Sequence, residues 1–184
     1  MDQIIHINGW PGCGKLTIAR LLAKRLNGKL LDNHTLLNPA EALFERTDPL
    51  HASLRRDVRA SVLGHAAQLP GGTPLILTDA LADDETDRAF FDDYRTLAAK
   101  RGARLVAVVL DCDRDENVRR LTSTGRAELY KLIRPDFLDH LRATYQLLRP
   151  QGVDLIELDV TALSADEVAA RIEEKLPTLP PAGG

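Results

Sequence analysis

Residues 9–17, Gly9-Trp10-Pro11-Gly12-Cys13-Gly14-Lys15-Leu16-Thr17, stand between an apolar run, Ile4-Ile5-His6-Ile7, and a stretch of helical periodicity. Glycines let backbone N–H groups turn inward without steric cost, which suits a ring of donors around a polyphosphate. Lys15 adds a mobile positive charge for β- and γ-phosphates, and a helix that starts there directs its dipole at them. The spacing Gly9-x-x-x-x-Gly14-Lys15 predicts a nucleotide-binding loop rather than a plain strand-to-helix turn. One position departs from the pattern. Leu16 stands where a Ser or Thr hydroxyl is expected, and the hydroxyl arrives one residue later, at Thr17.

Strand-length apolar runs recur outward from this loop, at Ile4–Asn8, Lys29–Asp32, Leu75–Thr78, Arg104–Leu110 and Asp154–Leu158. Leu105-Val106-Ala107-Val108-Val109-Leu110 is continuous rather than alternating, as expected of a parallel strand with helices on both faces. The segments between the runs carry helical patterns. In the first, Ile18, Leu21, Leu22 and Leu26 form an apolar stripe, and Asn27-Gly28 supplies the stop. Asp113-x-x-Glu116 and Ser164-x-x-Glu167 have the spacing of capping boxes. Leu36–Leu69 is longer than a minimal crossover and is expected to form two helices broken near Thr47-Asp48-Pro49. It can cap a substrate pocket or merely pack. Repeated strand–helix units predict a doubly wound α/β fold.

At 184 residues and 44% hydrophobic content the chain suits one α/β domain with a real core. A net charge of −3 and a pI of about 6.0 give no global pull toward nucleic acid or an anionic membrane. The apolar runs are too short to span a bilayer, and no basic segment followed by a long apolar stretch marks a secretory signal. Two cysteines, Cys13 and Cys112, make neither a disulfide framework nor a zinc cluster. Reduced thiols in a cytoplasmic protein fit them better than a single disulfide.

Read with its surroundings, the loop resembles the Gly-x-x-Gly-x-Gly-Lys-Ser-Thr signature of the small P-loop kinases. That group includes shikimate kinase, gluconate kinase, chloramphenicol phosphotransferase and the nucleoside monophosphate kinases. Leu30-Leu31-Asp32-Asn33-His34 resembles the strand end that presents acids to magnesium and acceptor, and Leu75-Ile76-Leu77-Thr78-Asp79 a Walker B strand. The run from Arg119 through Arg120 to Arg126 resembles an arginine-bearing lid, and Leu158-Asp159-Val160-Thr161 a loop that holds adenine. The resemblance implies a P-loop NTPase fold in three α/β/α layers, with five parallel strands in the order 2-3-1-4-5. A single domain over 1–176 is expected, with a helical insertion at 36–69 on the acceptor side and a flexible Pro- and Gly-rich tail at 177–184, and the resemblance implies a lid at 119–134. Two departures argue against shikimate as the substrate: Asp32 lacks a second Asp two places on, where His34 stands, and Thr78-Asp79-Ala80 replaces a glycine triplet.

The expected activity is transfer of the ATP γ-phosphate to a hydroxyl of a small acceptor, with ATP and Mg2+ bound. Gly9, Pro11, Gly12, Cys13, Gly14, Lys15, Leu16 and Thr17 would cradle the nucleotide, joined by Arg119, Asp159 and Thr161. Lys15, Asp32, Arg119 and Arg126 would act on the transferring group, since phosphoryl transfer rests on positioning and charge neutralisation. Asp32 would align the acceptor, and with Asp79, through water, hold magnesium. A turn or cap is the alternative for Asp32, where function is favoured, and an even one for Asp79; the alternative for the arginines is a solvated helix face. Arg46, Arg55, Arg56 and Arg59 can clamp an anionic acceptor or simply face water. Leu16 keeps open an ATP-binding protein or slow ATPase without acceptor, and the arginines a nucleotide or polynucleotide kinase. The partners expected are a nucleotide and a small molecule, with no membrane and no nucleic acid; the oligomeric state is left open.

Overall fold

The computed structural model describes residues 2–123 and 134–176. Over them strands and helices follow in the order β1 (Gln3–Gly9), α1 (Lys15–Arg25), β2 (Lys29–Asp32), α2 (Asn33–Leu43), α3 (Pro49–Ala66) and β3 (Leu75–Thr78). There follow α4 (Glu85–Arg101), β4 (Arg104–Asp111), α5 (Arg114–Leu121), α6 (Pro135–Thr144), β5 (Asp154–Asp159) and α7 (Ala165–Lys175). The five strands form one sheet in the order β2-β3-β1-β4-β5, all pairs parallel. This is the expected fold, and every expected strand lies within one residue of its place.

Alternation along the strands divides the core between two faces. Ile5 and Ile7 of β1 face α1 and α7, where Ile18, Leu22, Val168 and Ile172 cover them. Ile4 faces the other way, toward Phe91, Tyr94 and Leu97 of α4 and Leu63 of α3. Each such buried aliphatic side chain contributes about 1.5–3 kcal/mol, so both helical layers are held by the sheet. A third cluster, Trp10, Val109, Leu121, Leu138 and Leu147, packs α5 and α6 beside the phosphate loop.

Helix ends follow the local sequence. Asn27 takes φ 50° after α1, and the Gly28 N–H reaches back to the Ala23 carbonyl at 2.8 Å, a Schellman closure. Ser164 and Glu167 form the expected capping box. Asp113 is the N-cap of α5 but forms no capping box: its side chain makes no cap bond, its N–H donates to the Thr161 hydroxyl at 2.8 Å, and Glu116 accepts from Arg119 and Arg120. The long crossover between β2 and β3 holds two helices, with Asp48 capping the second and Pro49 at its first position. Parallel register sets Gly9 beside Leu110 and Asp32 beside Thr78, so the phosphate loop, Asp32 and Asp79 all leave the sheet at the carboxyl ends of its strands. No helix among the described residues is long and apolar enough to cross a membrane.

Candidate active site

The phosphate loop leaves β1 at Gly9 and feeds α1 directly. Gly14 sits at the helix N-cap with φ 92°, a left-handed conformation that other residues rarely adopt. No side chain caps this end, so the first N–H groups of α1 stay available to an anion. The Lys15 ammonium donates to the Gly9 and Trp10 carbonyls at 2.6 and 2.9 Å, which folds it across its own loop. Leu16 and Thr17 both line the cavity in front of the loop.

That cavity has a volume of about 1460 Å³ and runs from the loop to the wall formed by α2, α3 and α4. Pro11, Gly12, Gly14 and Lys15 line one end, and Asp32, His34 and Asp79 the middle. Asp32 is the N-cap of α2: Oδ1 accepts from the His34 N–H and Oδ2 from the Thr35 hydroxyl, each at 3.0 Å. Its cap geometry therefore fixes the carboxylate at the cavity wall.

Asp79 is only 3% exposed and is built differently. Its Oδ2 accepts from the Tyr94 hydroxyl at 2.5 Å and lies 3.1 Å from His6 Nε2. Its Oδ1 bonds to nothing among the described residues, although Asp79 lines the cavity. Burial opposes its ionisation, but His6, Tyr94 and Arg59 outweigh that, and the carboxyl sits below its usual range. Burial and the neighbouring Asp79 charge push the Tyr94 phenol well up, so it remains a donor.

The four arginines of the crossover divide by partner. Arg59 is buried and spent on Asp93, the Tyr94 hydroxyl and the Phe90 carbonyl. Arg46 pairs with Glu41. Arg56 lines the cavity. Arg55 lies 4.8 Å over the Phe90 ring and meets no carboxylate at ion-pair distance among the described residues. Burial pulls its guanidinium below the ordinary value, yet it keeps its charge there. Arg56 and Lys100 also line the cavity, and among the described residues they too meet no carboxylate at ion-pair distance.

Of the residues expected in a lid, Arg119 and Arg120 lie among the described residues. Arg119 is 72% exposed and grips Glu116 through two bonds of 2.6 Å. Its neighbour Arg120 turns inward, to the Cys13 carbonyl at 3.4 Å, the Val160 carbonyl at 2.8 Å and the Thr161 carbonyl at 3.3 Å. One residue of offset on a helix rotates the side chain by about a quarter turn, which sequence spacing alone does not resolve. Arg126 lies outside the described residues, as do most of the lid and the tail 177–184. Asp159 accepts from the Thr161 N–H and hydroxyl at 2.8 and 2.6 Å, closing the turn after β5 beside Arg120. Asp159 borders a separate cavity of about 370 Å³ rather than the main one. Cys13 and Cys112 are both buried free thiols, and burial pushes Cys112 up to about 12.

Sequence reasoning did not find the Asp79–His6–Tyr94 cluster as a unit. A histidine in the apolar first strand was the available signal, since a buried polar group needs a partner. Asn117, whose side chain touches the loop, gave none.

The comparisons with known proteins agree with this fold. Residues 5–131 match a family model described as an AAA domain. A shikimate kinase of Corynebacterium efficiens is 31% identical over 133 residues, covering 67% of this chain and 79% of that one. Among solved structures, a sugar kinase from Janibacter sp. HTCC2649 superposes with a TM-score of 0.67 at 21% identity, over 96% of this chain and 95% of that one. A shikimate kinase from Acinetobacter baumannii, in complex with shikimate, does so at 0.59 and 19%, over 95% and 96%. Those two likenesses speak for the fold. The family model and the Corynebacterium relative go further, and on them the chain belongs to the AAA-domain P-loop proteins and, among these, to the small P-loop kinases, with no individual member singled out.

Proposed function

We propose that this protein is an ATP-dependent kinase that phosphorylates a hydroxyl of a small, negatively charged acceptor. The observation that carries this reading is the continuity of one cavity, lined at once by the phosphate loop, two strand-end aspartates and Arg55. A large cavity with converging polar groups is where a ligand is expected in an open α/β sheet.

The loop suits a polyphosphate. A Cβ added at Gly14 would meet nothing closer than 3.7 Å, so the left-handed backbone, not crowding, sets the need for glycine there. Asp32 and Asp79 are the carboxylates that would hold magnesium, Asp79 through a water, consistent with an ion that takes few protein ligands. Bound there, magnesium neutralises charge on the phosphates. Lys15 exchanges its two carbonyl partners for phosphate oxygens, and the Gly9–Thr17 backbone positions the chain of phosphates. Asp32 aligns the acceptor hydroxyl and takes its proton late, as the new O–P bond forms and the bond from the γ-phosphorus to the bridging oxygen breaks, releasing ADP. Arg126 remains the proposed lid arginine. Arg120 takes the nucleotide-side place expected of Arg119, next to Thr161 and the Asp159 turn. Arg55 binds the acceptor's anion, stiffened by Phe90 behind it. The substrate class thus includes hydroxy acids, sugar acids and sugar phosphates. A cytoplasmic setting fits such a reaction.

Leu16 favours a second reading, slow ATP hydrolysis without an acceptor, because the loop lacks the usual hydroxyl at that place. Incubation with γ-labelled ATP, magnesium and a panel of anionic and neutral hydroxyl compounds separates the two. Label appearing on an anionic acceptor, above acceptor-free hydrolysis, is the expected result. Hydrolysis that no acceptor changes would overturn the kinase reading in favour of the ATPase.

A further inference from the structure

Asn117, in α5, has a fully buried side chain, and both ends of its amide are engaged. Nδ2 donates to the Pro11 carbonyl at 2.8 Å, and Oδ1 accepts from Arg142 of α6 at 3.2 Å. The same Arg142 nitrogen reaches Asp111 Oδ1 at 3.2 Å, and its guanidinium lies 5.7 Å from the Trp10 ring centroid. The contact with the loop is close. A Cβ at Gly12, which has φ 97°, would stand 2.6 Å from Asn117 Nδ2 and 3.0 Å from the Asn117 carbonyl.

A trans peptide is planar, so its C=O and N–H point in opposite directions. None of the peptide bonds is cis among the described residues. Drawing the Pro11 carbonyl onto Asn117 therefore turns the Gly12 N–H away from α5, toward the concave side of the loop. Three residues on, and so on the same helix face, Arg120 does the same to the next-but-one peptide, holding the Cys13 carbonyl at 3.4 Å and turning the Gly14 N–H inward. An apolar side chain could fill the space of Asn117 but could not hold a carbonyl. Burying an amide with only space-filling to do would be costly.

We propose that Asn117 is a positioning residue for phosphate binding: by fixing the Pro11 carbonyl against α5 it presets the loop's N–H donors for the β-phosphate. The inference rests on the reading of residues 9–17 as a nucleotide loop, but not on any acceptor. Arg142 is the strut behind it, and Trp10, stacked near that strut, reports on the arrangement.

The test compares ADP and AMP binding to the native chain, Asn117→Ala and Asn117→Asp by equilibrium dialysis, with Trp10 emission recorded in parallel. Asn117→Asp keeps the shape and the Arg142 contact but loses the donor. Losing one such hydrogen bond should weaken ADP about tenfold in both variants. AMP, which has no β-phosphate, should keep its affinity, and the ADP-induced change in Trp10 emission should shrink. Equal weakening of ADP and AMP, with a lowered melting temperature, would assign Asn117 a structural role and overturn the inference. Unchanged ADP affinity in either folded variant would overturn it too. A native protein that binds no ADP would instead remove the nucleotide reading beneath it.

Discussion

The two ends of the cavity are built in opposite ways. At the nucleotide end, residues 9–17 are contiguous, and the backbone of one loop with its own lysine makes the site. At the proposed acceptor end, Asp32 closes β2, Arg55 lies in α3 and Asp79 follows β3, and each is held by a partner far away in the chain or by a helix cap. Local geometry can be spelled by a short motif; a constellation assembled by packing cannot. In the proposed function the first region would fix the donor class, and the second would decide the acceptor.

Asp32→Asn gives the largest expected break between the regions. Asparagine caps a helix as well as aspartate, so α2 and the cavity wall should survive, and ATP should still bind. Loss of a base that takes the acceptor proton should cut kcat by about 10²–10⁴-fold. Steady-state kinetics alongside dialysis checks both halves. Full transfer by Asp32→Asn would move the role to His34 or Asp79.

Arg55→Ala should touch only the acceptor end. Removing a charge-assisted hydrogen bond should raise the acceptor KM by about 10–100-fold and leave the KM for ATP unchanged. An unchanged acceptor KM would show that the acceptor's anion, if it has one, lies elsewhere in the cavity.

Fold and nucleotide end were legible because their signals are local. The continuous strand at 105–110, the apolar stripe of Ile18 and Leu22, and the Asn27-Gly28 stop each express one periodicity or one dihedral requirement. The capping box at Ser164 was legible for the same reason, whereas that at Asp113 is absent: the distant Thr161 takes the Asp113 N–H, and Arg119 and Arg120 pair with Glu116. The inward turn of Arg120 in place of Arg119 depends on helix phase. The Asp79–His6–Tyr94 cluster depends on two strands and a helix meeting, which no spacing encodes.

Smaller effects sharpen the nucleotide end. Leu16→Ser restores a hydroxyl next to Lys15, so magnesium should strengthen ATP binding more in this variant than in the native chain. Titrations with and without magnesium read this directly. An identical response would mean that another group already fills that place.

The smallest effect concerns the clamp on Arg120. Hydrogen bonds from Arg119, aided by Arg120, hold the Glu116 carboxyl down to about 2. A carboxyl whose folded value lies below its unfolded value of about 4.3 contributes stability above that pH and loses it as the pH falls toward the folded value. Thermal melts should therefore show a loss between about pH 4 and pH 2 that is reduced in Glu116→Gln. Equal slopes for the two proteins would show that this clamp does not bear on stability.

Equilibrium dialysis of labelled ATP with magnesium, on the native chain and on Lys15→Ala, tests the central claim most directly. Native protein should bind ATP saturably, and Lys15→Ala should bind it about tenfold or more weakly, since a charge-assisted phosphate contact is gone. No saturable ATP binding by the native protein, over a wide concentration range, would contradict the account.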